Sequence, residues 1–208
     1  MNDYFAALAP ILERWNVLRH PFYVRWEQGE LTLAELGFYA SQYRHAVTAL
    51  AETAAATEAV VGPCHAEEEQ QHIELWDEFA AAVGAPDVSE PLPATARCAR
   101  AWTASDALEG LAVLHAVESA QPGISKTKLN GLVTHYGFSE SEDATTYFRV
   151  HAERDHAHAA EARTLLERHA TREDSDRLLG AAGAALRGNW ELLDGIEEQG
   201  GRPAREAV

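Results

Sequence analysis

Cysteine is nearly missing from this 208-residue chain, which has two, Cys64 and Cys98. They form neither a CxxC pair nor a disulfide framework, so both read as free thiols in small core positions of a protein kept in a reducing compartment. Positive charge is scarce as well: 17 Lys and Arg face 33 Asp and Glu, for a formal charge of -16. Such a balance repels phosphate backbones and anionic headgroups, so neither nucleic acid nor a membrane surface is expected as a partner. No stretch approaches the roughly 20 apolar residues of a membrane span. The opening Met-Asn-Asp-Tyr lacks the basic start and apolar run of a signal peptide, and the expected location is the cytoplasm. Also missing are runs of alternating β-branched residues between turn signals, which argues against a sheet.

What is present is a hydrophobic pattern repeating every three to four residues, with five Trp, six Tyr and six Phe to fill a core. The class is all-α, and the length suits one domain, 1–208, with residues 201–208 as a frayed tail. A first helix is expected over Tyr4 to Trp15. The aromatic segment His20 to Trp26 then leads through Gly29 to a long helix, Leu33 to Val60, with Thr32 and Glu35 at capping-box spacing and Gly62-Pro63 as its stop. The next helix runs from Cys64 to Val83 and stops at Gly84. Ala85 to Thr95, rich in Pro and small polar residues, reads as a connecting loop. Helices follow over Ser105 to Ala120 and Ile124 to His135, broken at Gln121-Pro122-Gly123. Ser139 and Glu142 have capping-box spacing and open a helix to His169, and Thr171 begins the last one.

Three of these helices carry chemistry where a core stripe should be apolar. On the helix opening near Ser141, the stripe Ala144, Tyr147 or Phe148, His151, Asp155, His158, Ala162 and Leu165 advances in steps of three and four, so three metal-capable groups face inward. His156 falls off that stripe and reads as solvated. After Pro63, Glu68 or Glu69 shares a face with His72, Leu75 or Trp76, and Phe79; Glu69 and His72 have the Glu-x-x-His spacing of four-helix di-iron proteins. The third seam is Leu108, Leu111, Leu114 or His115, ending in Glu118. Buried acids need a cation or a donor beside them. Glu69 (with Glu68 in reserve), His72, Glu118, His151, Asp155 and His158 could together hold two metal ions, with Glu118 as the bridge. Oxygen and imidazole donors without thiolate favour iron, or manganese, over structural zinc. The bland alternative is a buried network of salt bridges and histidines.

At these residues the chain resembles the haem-oxygenase-like di-iron oxidases and oxygenases, relatives of the PQQ-synthesis oxidase and the TenA thiaminases. His20-Pro21-Phe22-Tyr23, Trp26, Gly29-Glu30-Leu31-Thr32 and Gln42-Tyr43 are similar to the family's N-terminal half. Glu118-Ser119-Ala120-Gln121-Pro122-Gly123-Ile124, Lys128, Gly131-Leu132, Tyr136-Gly137, Tyr147-Phe148 and His151-x3-Asp155-x2-His158 are similar to its metal-binding half. The resemblance covers most of the chain. It implies a seven-helix bundle, a Fe(II)/Fe(III) pair at its centre, dioxygen as co-substrate and a symmetric homodimer. It places Glu118, His151, Asp155, His158 and His72 on family ligands. Seven residues before His72, where some members carry a glutamate, this chain has His65. The subgroup most like this chain contains the chlamydial death-domain-associating protein and other p-aminobenzoate-forming proteins, in which a tyrosine and a lysine of the protein itself are implicated; Tyr23 and Lys128 match those positions. His115 and Val117 depart from that subgroup, where aromatic residues often precede the bridging glutamate.

The function so implied is a dioxygen-dependent oxidase or oxygenase acting on a small amine, an amino acid, a fatty acid or its own tyrosine. Two alternatives stand beside it. A cofactorless PQQ-type oxidase would not need inward acids on separate helices, and an interaction module would use the same bundle without metal. TenA chemistry needs a nucleophilic cysteine near Glu118, where neither Cys64 nor Cys98 lies.

Overall fold

The computed structural model describes residues 2–61, 63–86 and 89–200. Among them are eight α-helices: α1 (Asn2–Arg14), α2 (Pro21–Gln28), α3 (Leu33–Val61), α4 (Pro63–Ala82), α5 (Pro93–Trp102), α6 (Ala107–His135), α7 (Asp143–His169) and α8 (Ser175–Gly200), with a 3-10 turn at Val17–Arg19. The frayed tail expected over 201–208, and the side chains of Cys64 and His65, lie outside the described residues. No helix is long and apolar enough to cross a membrane among those described.

Local chemistry explains most boundaries. Thr32 and Glu35 form the expected capping box: Thr32 N–H donates to Glu35 Oε2 at 2.8 Å and Glu35 N–H to Thr32 Oγ1 at 3.2 Å. Gly84 leaves α4 at φ +68° and Gly29 leaves α2 at φ +72°, conformations that suit glycine.

Two helices were not anticipated. α2 is capped by His20, whose Nδ1 accepts from Phe22 N–H at 3.1 Å ahead of Pro21 at the first position; a histidine cap and eight residues give little periodic signal. α5 follows the Pro-rich stretch, so the loop expected to Thr95 ends at Leu92. Pro93 opens the helix, and Ala94, Thr95, Cys98 and Trp102 turn inward.

The break expected at 121–123 does not occur. α6 runs through Pro122, because the stripe Leu111, Leu114, Glu118, Gln121, Ser125, Lys128 and Leu132 is buried along its whole length. Continuous packing outweighs one missing N–H. α7 starts at Asp143 rather than near Ser139 or Ser141, since Thr145 Oγ1 lies 2.9–3.0 Å from the carbonyls of Ser139, Glu140 and Glu142 and holds them in a turn. Ahead of α8, Asp174 accepts from Thr171 N–H at 2.9 Å and from the Thr171 hydroxyl at 2.7 Å, closing a turn, and the helix starts at Ser175, four residues later than expected.

α6 is the pivot, packed most extensively on α7 and also on α8, α3 and α2. It approaches α2 tightly: a Cβ at Gly131 would lie 2.7 Å from Trp26 Cδ1, while Trp26 Nε1–H donates to the Lys128 carbonyl at 3.2 Å. Gly131→Ala should therefore cost about 1–3 kcal/mol in urea unfolding by overpacking; a neutral result would show that Trp26 is free to move.

Candidate metal centre

α4, α6 and α7 meet with their polar interruptions facing one another. Glu69 and His72 from α4, Glu118 from α6, and His151 and Asp155 from α7 are all at most 3% exposed. His158 is half-buried. Ligand atoms of Glu69, His72 and His151 lie within 4.8 Å of one another, and so do those of Glu69, Glu118 and His158. Glu69 is common to both groups, which is the geometry of a carboxylate shared by two cations. Glu118, expected from the sequence as the bridge, belongs to one of the two groups. Asp155 belongs to neither group but is close enough to Glu118 and Glu69 to be raised by their charge.

Glu68, the reserve ligand, turns outward. One oxygen lies 3.1 Å from Arg154 and the other 3.1 Å from His158 Nε2, so it flanks the centre. His72 Nδ1 is 3.0 Å from Glu69 Oε1. His151 Nδ1–H donates to the Tyr147 carbonyl at 2.7 Å, which fixes the tautomer and leaves Nε2 with its lone pair for a cation.

Burial pushes Glu118, Asp155 and His151 toward their neutral forms when no cation is present. Burial, reinforced by Glu69 and Glu161, pushes Glu118 well above the usual carboxylate range. Burial, then Glu118 and Glu69, raises Asp155 to about 9. Burial and the neighbouring His72 lower His151 to about 3. Both Asp155 oxygens lack a hydrogen-bond partner among the described residues. Six oxygen and nitrogen donors, with Glu118 and Asp155 among them forced toward protonation, are the set a pair of divalent cations would complete, and iron or manganese suits it. The residues therefore fit the metal.

Two consequences can be measured. Asp155 keeps a proton in the metal-free fold between its unfolded value near 3.9 and its folded value of about 9, so its contribution to stability is full at low pH and is lost as pH rises through that window. Metal-free Asp155→Asn should gain on the parent as pH is raised from roughly 5 to 8 in chemical unfolding; parallel profiles would show that Asp155 is ionised in the fold. Ferrous binding should also release protons near neutral pH, read as a buffer-dependent heat in calorimetry; equal heats in buffers of different ionisation enthalpy would contradict the protonated acids.

Tyr23 and Lys128, whose bland readings are a bundle-edge aromatic and a solvated helix residue, are both in the core, at 2% and 1% exposure. Lys128 is one of two lysines in a chain with fifteen arginines. Its Nζ donates to Tyr39 Oη at 2.7 Å, and Tyr39 shares a 2.8 Å hydrogen bond with Tyr23. The same nitrogen lies 4.5 Å from the Tyr23 ring centre and 4.9 Å from that of Tyr43, with Trp26 and Phe148 beyond. Burial holds its pKa well below that of a free lysine. Tyr39 in this cage, and Trp76 and Tyr147 beyond it, look like ordinary core aromatics at helical spacing, yet they connect the lysine to His151. Tyr147 lies 4.0 Å from His151 between ring centres, Trp76 4.8 Å from Tyr147, and Tyr39 5.8 Å from Trp76.

A family described as iron-containing redox enzymes matches residues 64–190, which contain all six inward donors. The chain belongs to that family. A 4-aminobenzoate synthase of Chlamydia muridarum is 32% identical over 94% of this chain and 91% of its own length. A haem-oxygenase-like domain of unknown function from Shewanella denitrificans superposes with TM-score 0.77 at 20% identity, covering 100% of this chain and 98% of that one. A TenA homologue from Pseudomonas syringae gives 0.78 at 16% identity, covering 95% and 92%. The fold is thus haem-oxygenase-like, with eight helices among the described residues where the resemblance implies seven.

Proposed function

We propose that this iron-containing redox protein is a di-iron, dioxygen-dependent oxygenase, and that its product is 4-aminobenzoate built from its own Tyr23 with Lys128 as the nitrogen source. The position of Lys128 Nζ, 4.5 Å from the Tyr23 ring centre inside an aromatic cage, carries the reading. The name of the Chlamydia relative supports the product class.

The chemistry of the two molecules is consistent with it. 4-Aminobenzoate is a benzene ring with nitrogen and one carboxyl carbon in para positions; a tyrosine side chain is the same ring with oxygen and Cβ. Conversion requires the Cα–Cβ bond to be cut, Cβ to be oxidised to a carboxyl carbon, the phenol oxygen to leave as water as a bond from Lys128 Nζ to the ring replaces it, and the lysine Cε–Nζ bond to be cut by oxidation at Cε. Bound iron supplies the redox equivalents by activating dioxygen. The chain's own residues do the rest. Desolvation biases the Lys128 amine toward its neutral, nucleophilic form, Tyr39 accepts its hydrogen bond and touches the Tyr23 hydroxyl, and the surrounding rings exclude water.

Intact and peptide mass spectrometry before and after a single aerobic turnover with reductant tests this. Mass losses confined to the peptides holding Tyr23 and Lys128, matched by 4-aminobenzoate formed, are expected. Product formed from a chain whose mass is unchanged would assign the reaction to an external substrate instead.

A further inference from the structure

His158 is held differently from His151. His151 anchors its ring on the backbone of its own helix, whereas His158 Nε2 lies 3.1 Å from Glu68 Oε2 on α4. The other Glu68 oxygen lies 3.1 Å from Arg154 Nη1. Arg154 and His158 are four residues apart on α7, so both project from one face of that helix and close on the same carboxylate across the seam with α4. The His158 side chain is 12% exposed, Glu68 32% and Arg154 58%, so the three run outward from the centre to solvent. Nδ1 of His158 is fully enclosed. A carboxylate accepts, so Nε2 carries the proton in this pair and Nδ1 keeps the lone pair.

We propose that Glu68 is a positioning residue of the metal centre: it accepts the N–H of His158 Nε2 and so aims Nδ1 at the cation bound by Glu69 and Glu118, while Arg154 fixes the carboxylate. The inference rests on the two-ion reading of the centre. A ligating histidine ordinarily passes its second N–H to a carboxylate or a carbonyl, which sets the tautomer and makes the ring a better donor. The two histidines then meet the ions through opposite nitrogens, His151 through Nε2 and His158 through Nδ1. Only the His158 anchor is a side chain, so only that position can be loosened without touching a ligand or the backbone.

The test is anaerobic titration of the full chain with ferrous ion in competition with a chromogenic chelator, resolving the two positions. Glu68→Ala is expected to weaken one of them by about 10- to 100-fold and leave the other nearly unchanged. Glu68→Gln, whose amide oxygen still accepts, should restore most of that affinity, with the largely exposed Arg154 turning to water. In the His158→Ala background Glu68→Ala should cost nothing more, because the ring it positions is gone. Equal weakening of both positions, or the same further loss in the His158→Ala background, would show a purely structural role. Glu68→Gln as weak as Glu68→Ala would make Glu68 itself a ligand. Each of these results overturns the proposal, as does parent-level affinity at both positions in Glu68→Ala. A parent chain that takes up no ferrous ion would sink the two-ion reading and this inference with it.

Discussion

Glu69→Ala is expected to empty both iron positions at once, whereas His151→Ala and His158→Ala should each weaken one. The parent chain, loaded anaerobically with ferrous ion, should take up about two irons. Glu69 contributes to both donor groups, His151 to one and His158 to the other. Removing a shared carboxylate takes an oxygen from each cation and leaves two positive charges closer in effect, with less negative charge between them. Iron content by mass spectrometry, with the visible absorption that appears on admitting oxygen, reads the result directly. Retention of one full iron in Glu69→Ala, together with loss of both in Glu118→Ala, would return the bridging part to Glu118.

The second large effect is expected at Lys128. Lys128→Met keeps most of the side-chain volume and removes the amine, so formation of 4-aminobenzoate should fall to background while the fold survives. Because the lysine is fully buried with no anion beside it, an apolar replacement should hold or raise stability, by up to about 1–3 kcal/mol. That pairing of outcomes separates chemistry from folding. Lys128→Arg should not restore the product, since a guanidinium stays charged and offers no nucleophilic lone pair. Product at the parent level from Lys128→Met would remove Lys128 as the nitrogen source, and Tyr23→Phe provides the matching control for the ring.

Much of this was legible in sequence because helical periodicity makes an inward polar residue conspicuous. His151 and Asp155 stood on a stripe whose other members were apolar, and Glu69, His72 and Glu118 interrupted two more; all five are buried in the structure. What periodicity could not resolve was distance. It could not say that Glu69, rather than Glu118, sits where two groups overlap, because that depends on how α4 is rotated against α6 and α7. It could not separate Glu68 from Glu69 by more than about 100° of helix rotation, and packing turned one to the rim beside Arg154 and the other inside. α5 was hidden by a proline-rich approach, and the continuity of α6 by Pro122, whose local preference lost to buried contacts on both sides. The burial of Lys128 was the least readable from periodicity, since lysine on a helix is nearly always solvated; the family resemblance singled the residue out, and the assembled cage of rings shows why it can lie inside.

If the proposed reaction consumes Tyr23 and Lys128, their depth sets the fate of the molecule after it has acted. Both rank among its largest fully enclosed side chains. A copy stripped of the tyrosine ring has a hole in its centre worth about 3–5 kcal/mol, a large share of the 5–15 kcal/mol that usually holds a domain together. Such a copy should melt early and be cleared by proteases, so each polypeptide would serve as a single-use cartridge and the cell's yield would be counted in chains synthesised.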